Sequence, residues 1–175
     1  MALTHLLRTL LLATLALFFL AAQEAPQLEK HPISGLPTIK IPIAGESFTF
    51  EIADDAWERA RGLSGRKRLG KDEGMLFAYA RPEILGYWMK NCLIDIDIVY
   101  VRRDGRIMAV HRMKKEPPRR DGEFLSEYEA RLPRYSSKHI VQFALEFPAG
   151  TIDRLKLKEG QRLTLPREQL LKDAK

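Results

Sequence analysis

Between Tyr87 and Asp97 the chain mixes aromatic, cationic, amide and acidic side chains with large apolar ones, in the order Tyr87-Trp88-Met89-Lys90-Asn91-Cys92-Leu93-Ile94-Asp95-Ile96-Asp97. A strand points successive side chains to opposite faces, so this segment is expected to bury one face and offer polar groups on the other. A lysine desolvated between Trp88 and Met89 would suit work as a base or nucleophile, although lysines more commonly extend the head to water. Trp88 and Tyr87 could stack on a sugar or another planar ligand, or serve the core. Asp95 and Asp97 lie about 6.5 Å apart along one strand face. That spacing suits paired carboxylates or a hard metal ion, with cross-strand pairing to Lys114 and Arg112 as the competing use. Asn91 could instead end the strand, because asparagine tolerates turn conformations.

Other groups add to this set. Arg61 and Arg66 flank a glycine-containing turn, an arrangement that holds carboxylates or phosphates. The alternative leaves Arg61 on its own helix's carbonyls and Arg66 solvated. Glu146 sits in an apolar strand, where a buried acid needs a partner, and Lys90 or Arg61 could supply one. The ligand-binding candidates are therefore Arg61, Arg66, Trp88, Lys90, Asn91, Asp97 and Glu146. No catalytic set is assigned. His31, His111 and His139 lack metal-ligand spacing, and no nucleophile elbow, P-loop or dinucleotide fingerprint occurs. No metal or cofactor is expected. Cys92 is the only cysteine, so no internal disulfide forms, and its apolar neighbours predict a buried small hydrophobe.

The elements that must position these groups read as mostly β. Ile39–Ile43 is a strand that Pro42 keeps to an edge or makes irregular, and Ser47–Ile52 alternates cleanly. A short helix follows, capped by Asp54 or Asp55. Ala53, Ala56, Trp57 and Ala60 would be its buried stripe, and Gly62 its stop. Strands are expected over Gly74–Tyr79, Ile84–Asn91, Leu93–Val101, Arg106–Met113, His139–Phe147 and Arg162–Pro166. Asp104-Gly105 is the preferred two-residue hairpin loop. It would set Val101 opposite Met108, Val99 opposite Val110, Ile98 opposite His111, Asp97 opposite Arg112 and Asp95 opposite Lys114. Lys114–Lys138 is a charged excursion with a short helix near Glu123–Leu132, placed to cover a site. Ala149–Leu157 reads as a helical turn or short helix. Hairpin links dominate and no βαβ alternation is visible. The expected class is mostly β (α+β), a compact antiparallel barrel-like domain of about six to eight short strands with two or three short helices.

Residues 1–22 read as a secretory signal peptide, with Arg8 before the apolar Leu10–Leu20 run and Ala22 at the cleavage point. An uncleaved membrane anchor is the alternative. Residues 23–38 form a linker, 39–166 a single β-rich domain and 167–175 a polar tail. A secreted or periplasmic location follows, with no stable membrane span after cleavage. The net charge of +6 comes from cations interleaved with acids, which does not support nucleic-acid binding; the charge favours solubility, with adhesion to anionic lipid or an envelope polymer as the alternative.

Several blocks carry a family resemblance: Arg61-Gly62-Leu63-Ser64-Gly65-Arg66 with Leu69, Gly74-Met75-Leu76-Phe77, Tyr87-Trp88-Met89-Lys90-Asn91, Asp97, Asp104-Gly105, Leu145-Glu146-Phe147-Pro148-Ala149-Gly150 and Lys158-Glu159-Gly160. Over roughly Ile39 to Leu165 the chain resembles the uncharacterised bacterial and archaeal family known as domain of unknown function 192. The resemblance implies a compact, mostly β domain, often exported, with no established activity and no catalytic residues to carry over. Cys92 stands where that family usually has threonine, and Asp95 where it usually has proline. The functional expectation is a non-catalytic binding or accessory module for a small polar or anionic ligand such as a glycan. The alternatives are a hydrolase or lyase using Lys90 or Asp97 as general base, and a protein-interaction module.

Overall fold

The computed structural model describes residues 28–175, so the expected signal peptide (1–22) and the first part of the expected linker lie outside the described residues. One six-stranded sheet organises the domain. Its strands are β1 (Thr38–Ile43), β2 (Glu46–Ala53), β3 (Glu73–Tyr87), β4 (Ile96–Val101), β5 (Ile107–Met113) and β6 (Tyr135–Pro148), in the order β1-β2-β3-β6-β4-β5. Four short helices are described: α1 (Ala56–Arg61), α2 (Leu125–Arg131), α3 (Thr151–Arg154) and α4 (Arg167–Leu171). No helix of the described residues is long and apolar enough to cross a membrane.

The mostly β class is as expected, with two differences in detail. β2 and β3 pair in parallel, because the chain between them crosses over through α1 instead of turning back in a hairpin. The edge strands β1 and β5 do not pair with each other, so the sheet is open. It is nonetheless barrel-like. Ile39 and Ile41 of β1 share one apolar cluster with Ile107 of β5, Val99 and Val101 of β4, and Phe143, Leu145 and Phe147 of β6. Met75, Phe77, Ile98, Tyr100, Val141 and Ala144 form a second cluster on the other face. Both faces are thus buried, and strand parity decides which core each side chain enters.

The two strands expected over Gly74–Tyr79 and Ile84–Asn91 are one 15-residue strand, β3, interrupted by a bulge. Ala78 pairs with Phe143 and Glu83 with Val141, so four residues of β3 face only Gln142. Gln142 donates to the carbonyls of Tyr79 (3.0 Å) and Ala80 (3.3 Å), which holds the bulge. β3 ends at Tyr87, so Trp88–Asp95 is a loop and not a strand, turning at Asn91 with φ +56. Next to Glu146, Gly74 is required: a Cβ there would lie 2.6 Å from both the Glu146 carbonyl and the Phe50 ring.

The β4–β5 ribbon keeps the expected register from Ile96–Met113 to Val99–Val110. Nearer the turn it slips, and Val101 meets Ile107 instead of Met108. Gly105 (φ +87) donates to the Arg102 carbonyl at 2.8 Å, which makes a longer turn with a glycine bulge in place of the two-residue loop. Lys114 Nζ does reach Asp95, at 2.8 Å. Arg112, however, pairs with Asp153 and not with Asp97. The expected strand at Arg162–Pro166 is reduced to a single bridge, Arg106 to Arg162.

The expected buried stripe of the first helix is overturned. Ala53 belongs to β2, α1 has no buried residue, and Trp57 is 75 % exposed. A true cap at Asp55 starts the helix later than the spacing implied, which rotates Trp57 out of the core.

Candidate ligand-binding cleft

The groups singled out in the sequence are held by three segments that meet at Asn91. The first is α1. Its Asp55 cap accepts from Glu58 N at 2.8 Å, and Glu58 reaches back to Asp55 N at 3.3 Å, a reciprocal capping box. Arg59 donates to the carbonyls of Asp54 (2.6 Å) and Ala78 (3.1 Å) and lies 4.5 Å from the Tyr79 ring centre, which fixes α1 beside β3. Beyond Gly62, Gly65 N donates to the Asn91 carbonyl at 3.0 Å, joining the arginine-glycine turn to the Trp88–Asn91 loop. From the excursion, the Tyr128 hydroxyl accepts from Asn91 N at 3.1 Å, and Glu129 accepts from the Lys90 ammonium. Arg134 lies 3.6 Å from the Trp88 ring centre. The expected cover thus docks at the Lys90 edge through α2.

These segments enclose a cleft of about 620 Å³ lined by Trp57, Arg61, Tyr79, Tyr87, Trp88, Lys90, Asn91, Cys92 and Glu146, among others. Tyr79 and Tyr87 join hydroxyl to hydroxyl at 3.0 Å. Glu146 is the only carboxyl in the lining, is 5 % exposed, and its Oε2 has no hydrogen-bond partner among the described residues. Burial alone pushes its carboxyl up to about 8, so near neutral pH it is an acid that keeps its proton and offers it. Burial, and then the nearby Glu146 charge, push the Cys92 thiol up to about 12. That leaves it protonated and a poor nucleophile. Burial also raises Tyr79, and Tyr87 well above the usual phenol range.

Of the seven candidates, Arg61, Trp88, Lys90, Asn91 and Glu146 line this cleft. Arg66 does not. It donates to both carboxylate oxygens of buried Glu51 at 2.6 Å and, with Arg61, borders a smaller adjoining cavity of about 210 Å³. Asp97 is excluded by parity. It shares its sheet face with Val99 and Val101, opposite the face of Glu146 and Ala144, and its Oδ2 accepts from Ile152 N at 2.8 Å at the start of α3. Burial raises its carboxyl, while the Ile152 and Gly150 amides act against that. Asp95 and Asp97 therefore serve different partners, and neither paired-carboxylate nor metal chemistry follows from them. Among the described residues no group of three His, Cys, Asp or Glu is placed to hold a metal ion. The partners anticipated for Glu146 are absent, since Lys90 is committed to Glu129 and no described ion pair includes Glu146.

Two contributors were not anticipated. Helical spacing alone predicts a core position for Trp57, but the Asp55-x-x-Glu58 capping signature marks the true helix start. In sequence Tyr79 reads only as a strand residue; nothing in its local pattern signals the hydroxyl pair with Tyr87.

Known proteins share this architecture. The family model DUF192, described as "Uncharacterized ACR", matches residues 39–165. No curated protein matches the chain. A crystal structure of a protein of unknown function from Novosphingobium aromaticivorans aligns with a TM-score of 0.64 and 27% identity, covering 83% of this chain and 97% of its own. A candidate transcription regulator from Sinorhizobium meliloti aligns at 0.56 and 29%, covering 73% and 90%.

Proposed function

The chain belongs to the uncharacterised DUF192 family, and we propose that in this member the α1 cleft binds a small polar ligand of the glycan class without transforming it. The observation that carries this is the combination in one cleft of an exposed tryptophan, Trp57, with Trp88, two tyrosines and the buried, unpartnered carboxyl of Glu146. Aromatic faces suit the apolar faces of sugar rings, and a few placed polar groups fix orientation. Arg61 and Asn91 add donors at the cleft wall.

Binding is favoured over hydrolysis or elimination. Hydrolysis of a glycosidic bond ordinarily needs two carboxyl groups about the scissile bond, and this lining has one. Of the general bases considered, Lys90 donates to Glu129 and Asp97 lies on the opposite sheet face. A protein-interaction role for Lys114–Lys138 has less support, because α2 folds back on its own domain through Tyr128 and Glu129. The signal-peptide pattern of residues 1–22 places the protein, in this reading, in the periplasm or outside the cell, where envelope polymers supply such glycans.

A glycan array with wild type, Trp57→Ala and Arg61→Ala tests the proposal. Trp57 is exposed, so its loss is expected to change folding stability by less than about 0.5 kcal/mol while abolishing retention on the array. Equal retention of all three proteins would remove the cleft as the site.

A further inference from the structure

We infer that the group this cleft receives at its floor is a protonated amine, seated between the Glu146 carboxylate and the tyrosine pair, so that the preferred ligands are amino sugars with a free amino group. The inference rests on the glycan-binding reading above and names the ligand's chemistry.

Three observations lead there. First, Glu146 is a buried carboxyl facing the cleft with one oxygen unpartnered. A buried acceptor without a donor is costly, and an arriving donor regains that free energy. Second, the protein's own cations do not fill this role. Beyond burial, the Glu146 charge acts to raise Tyr79 and Tyr87 of β3, Cys92 of the following loop and Tyr100 of β4, so these groups lie near it. Arg59 and Arg61 of α1 and Lys90 line the same cleft. Arg59 is spent on backbone carbonyls, Lys90 on Glu129, and no described ion pair joins Arg61 to Glu146. Third, the walls near the carboxyl are aromatic, and ring faces attract ammonium groups. A hydroxyl would supply one hydrogen bond but no charge. An ammonium supplies three donors, enough for the carboxylate and a phenol oxygen together.

Protons balance simply. The ligand arrives as an ammonium ion and keeps its proton. The Glu146 carboxyl releases its own to solvent, because the new positive neighbour favours the ionised form. Binding at mildly acidic pH, where ligand amine and Glu146 carboxyl are both protonated beforehand, therefore releases about one proton per ligand.

Calorimetry separates the possibilities. A glucosamine trimer and its fully N-acetylated counterpart are titrated at mildly acidic pH into wild type and Glu146→Gln, each in two buffers of different ionisation enthalpy. Glutamine is nearly isosteric and neutral, so this variant keeps the cleft's shape. The free-amine trimer is expected to bind wild type about tenfold tighter, with about one proton released. Glu146→Gln is expected to bind both trimers alike and release no proton. Equal binding of the two trimers by wild type would overturn the amine inference and leave the glycan-binding reading standing. An amine preference that persists in Glu146→Gln would overturn it too. Binding of neither trimer would sink both.

Discussion

Replacing Glu146 with glutamine is expected to remove a large loss of folding stability that the wild type suffers as pH rises from mildly acidic to mildly alkaline. In the unfolded chain this carboxyl titrates near its ordinary value of 4.5; in the fold, burial pushes it up to about 8. Between these values the folded protein holds a proton that the unfolded chain has lost. Stability from that proton is fully present below the unfolded value, and it is lost as pH rises through the folded one. Each pH unit inside the window carries about 1.4 kcal/mol, or about 5 kcal/mol across it. That is a large share of the roughly 5–15 kcal/mol that holds a typical domain together. Urea unfolding of both proteins at about pH 5, 6, 7 and 8, without ligand, measures the effect. Other titrating groups largely cancel in the difference. Wild-type stability minus that of Glu146→Gln should fall by about 1.4 kcal/mol per pH unit. A difference that stays flat would mean that Glu146 titrates as in the unfolded chain, and the argument from an unpartnered buried acid would fail.

Other perturbations test the scaffold around the cleft. Gly74→Ala puts a Cβ against the Glu146 carbonyl and the Phe50 ring and is expected to cost about 1–3 kcal/mol in urea unfolding. Asp97→Ala strands the buried Ile152 amide and should cost about 1–3 kcal/mol without changing ligand affinity; a loss of affinity at unchanged stability would return Asp97 to the site. Tyr128→Phe removes the acceptor for Asn91 N, at about 1 kcal/mol, and calorimetry should also show weaker ligand binding as the Trp88–Asn91 loop loosens. Cys92, its thiol pushed up to about 12, should react with a thiol reagent far more slowly in the folded protein than in urea at about pH 8.

How far the sequence carries depends on the range of each interaction. The β4–β5 pairing was legible because alternation and a single turn determine it locally, and only the turn's own bulge escaped. Pro42 marked β1 as an edge for a reason internal to the residue. The parallel β2–β3 pair was not legible, since it depends on how the chain through α1 packs and not on any short pattern. Helical spacing misplaces Trp57 because the cap at Asp55 interrupts the stripe and Ala53 still belongs to the strand. Among the site residues, Arg61, Trp88, Lys90, Asn91 and Glu146 come together because Gly65 and Tyr128 both tie to the Asn91 backbone. Asp97 was drawn into the patch by nearness in sequence, although parity on a sheet buried on both faces sends it to the other core.

The chain has two tryptophans, Trp57 and Trp88, and both line the cleft. A nitrogen-proton correlation spectrum therefore shows two indole signals, each a reporter at the proposed site. Titration with a glucosamine trimer is predicted to shift both in a saturable manner, together with the amides of Asn91 and of the neighbouring α1 residues. Indole signals that stay fixed while ligand-induced shifts gather elsewhere on the surface, or a spectrum that does not respond to glycans at all, would contradict a binding role for this cleft.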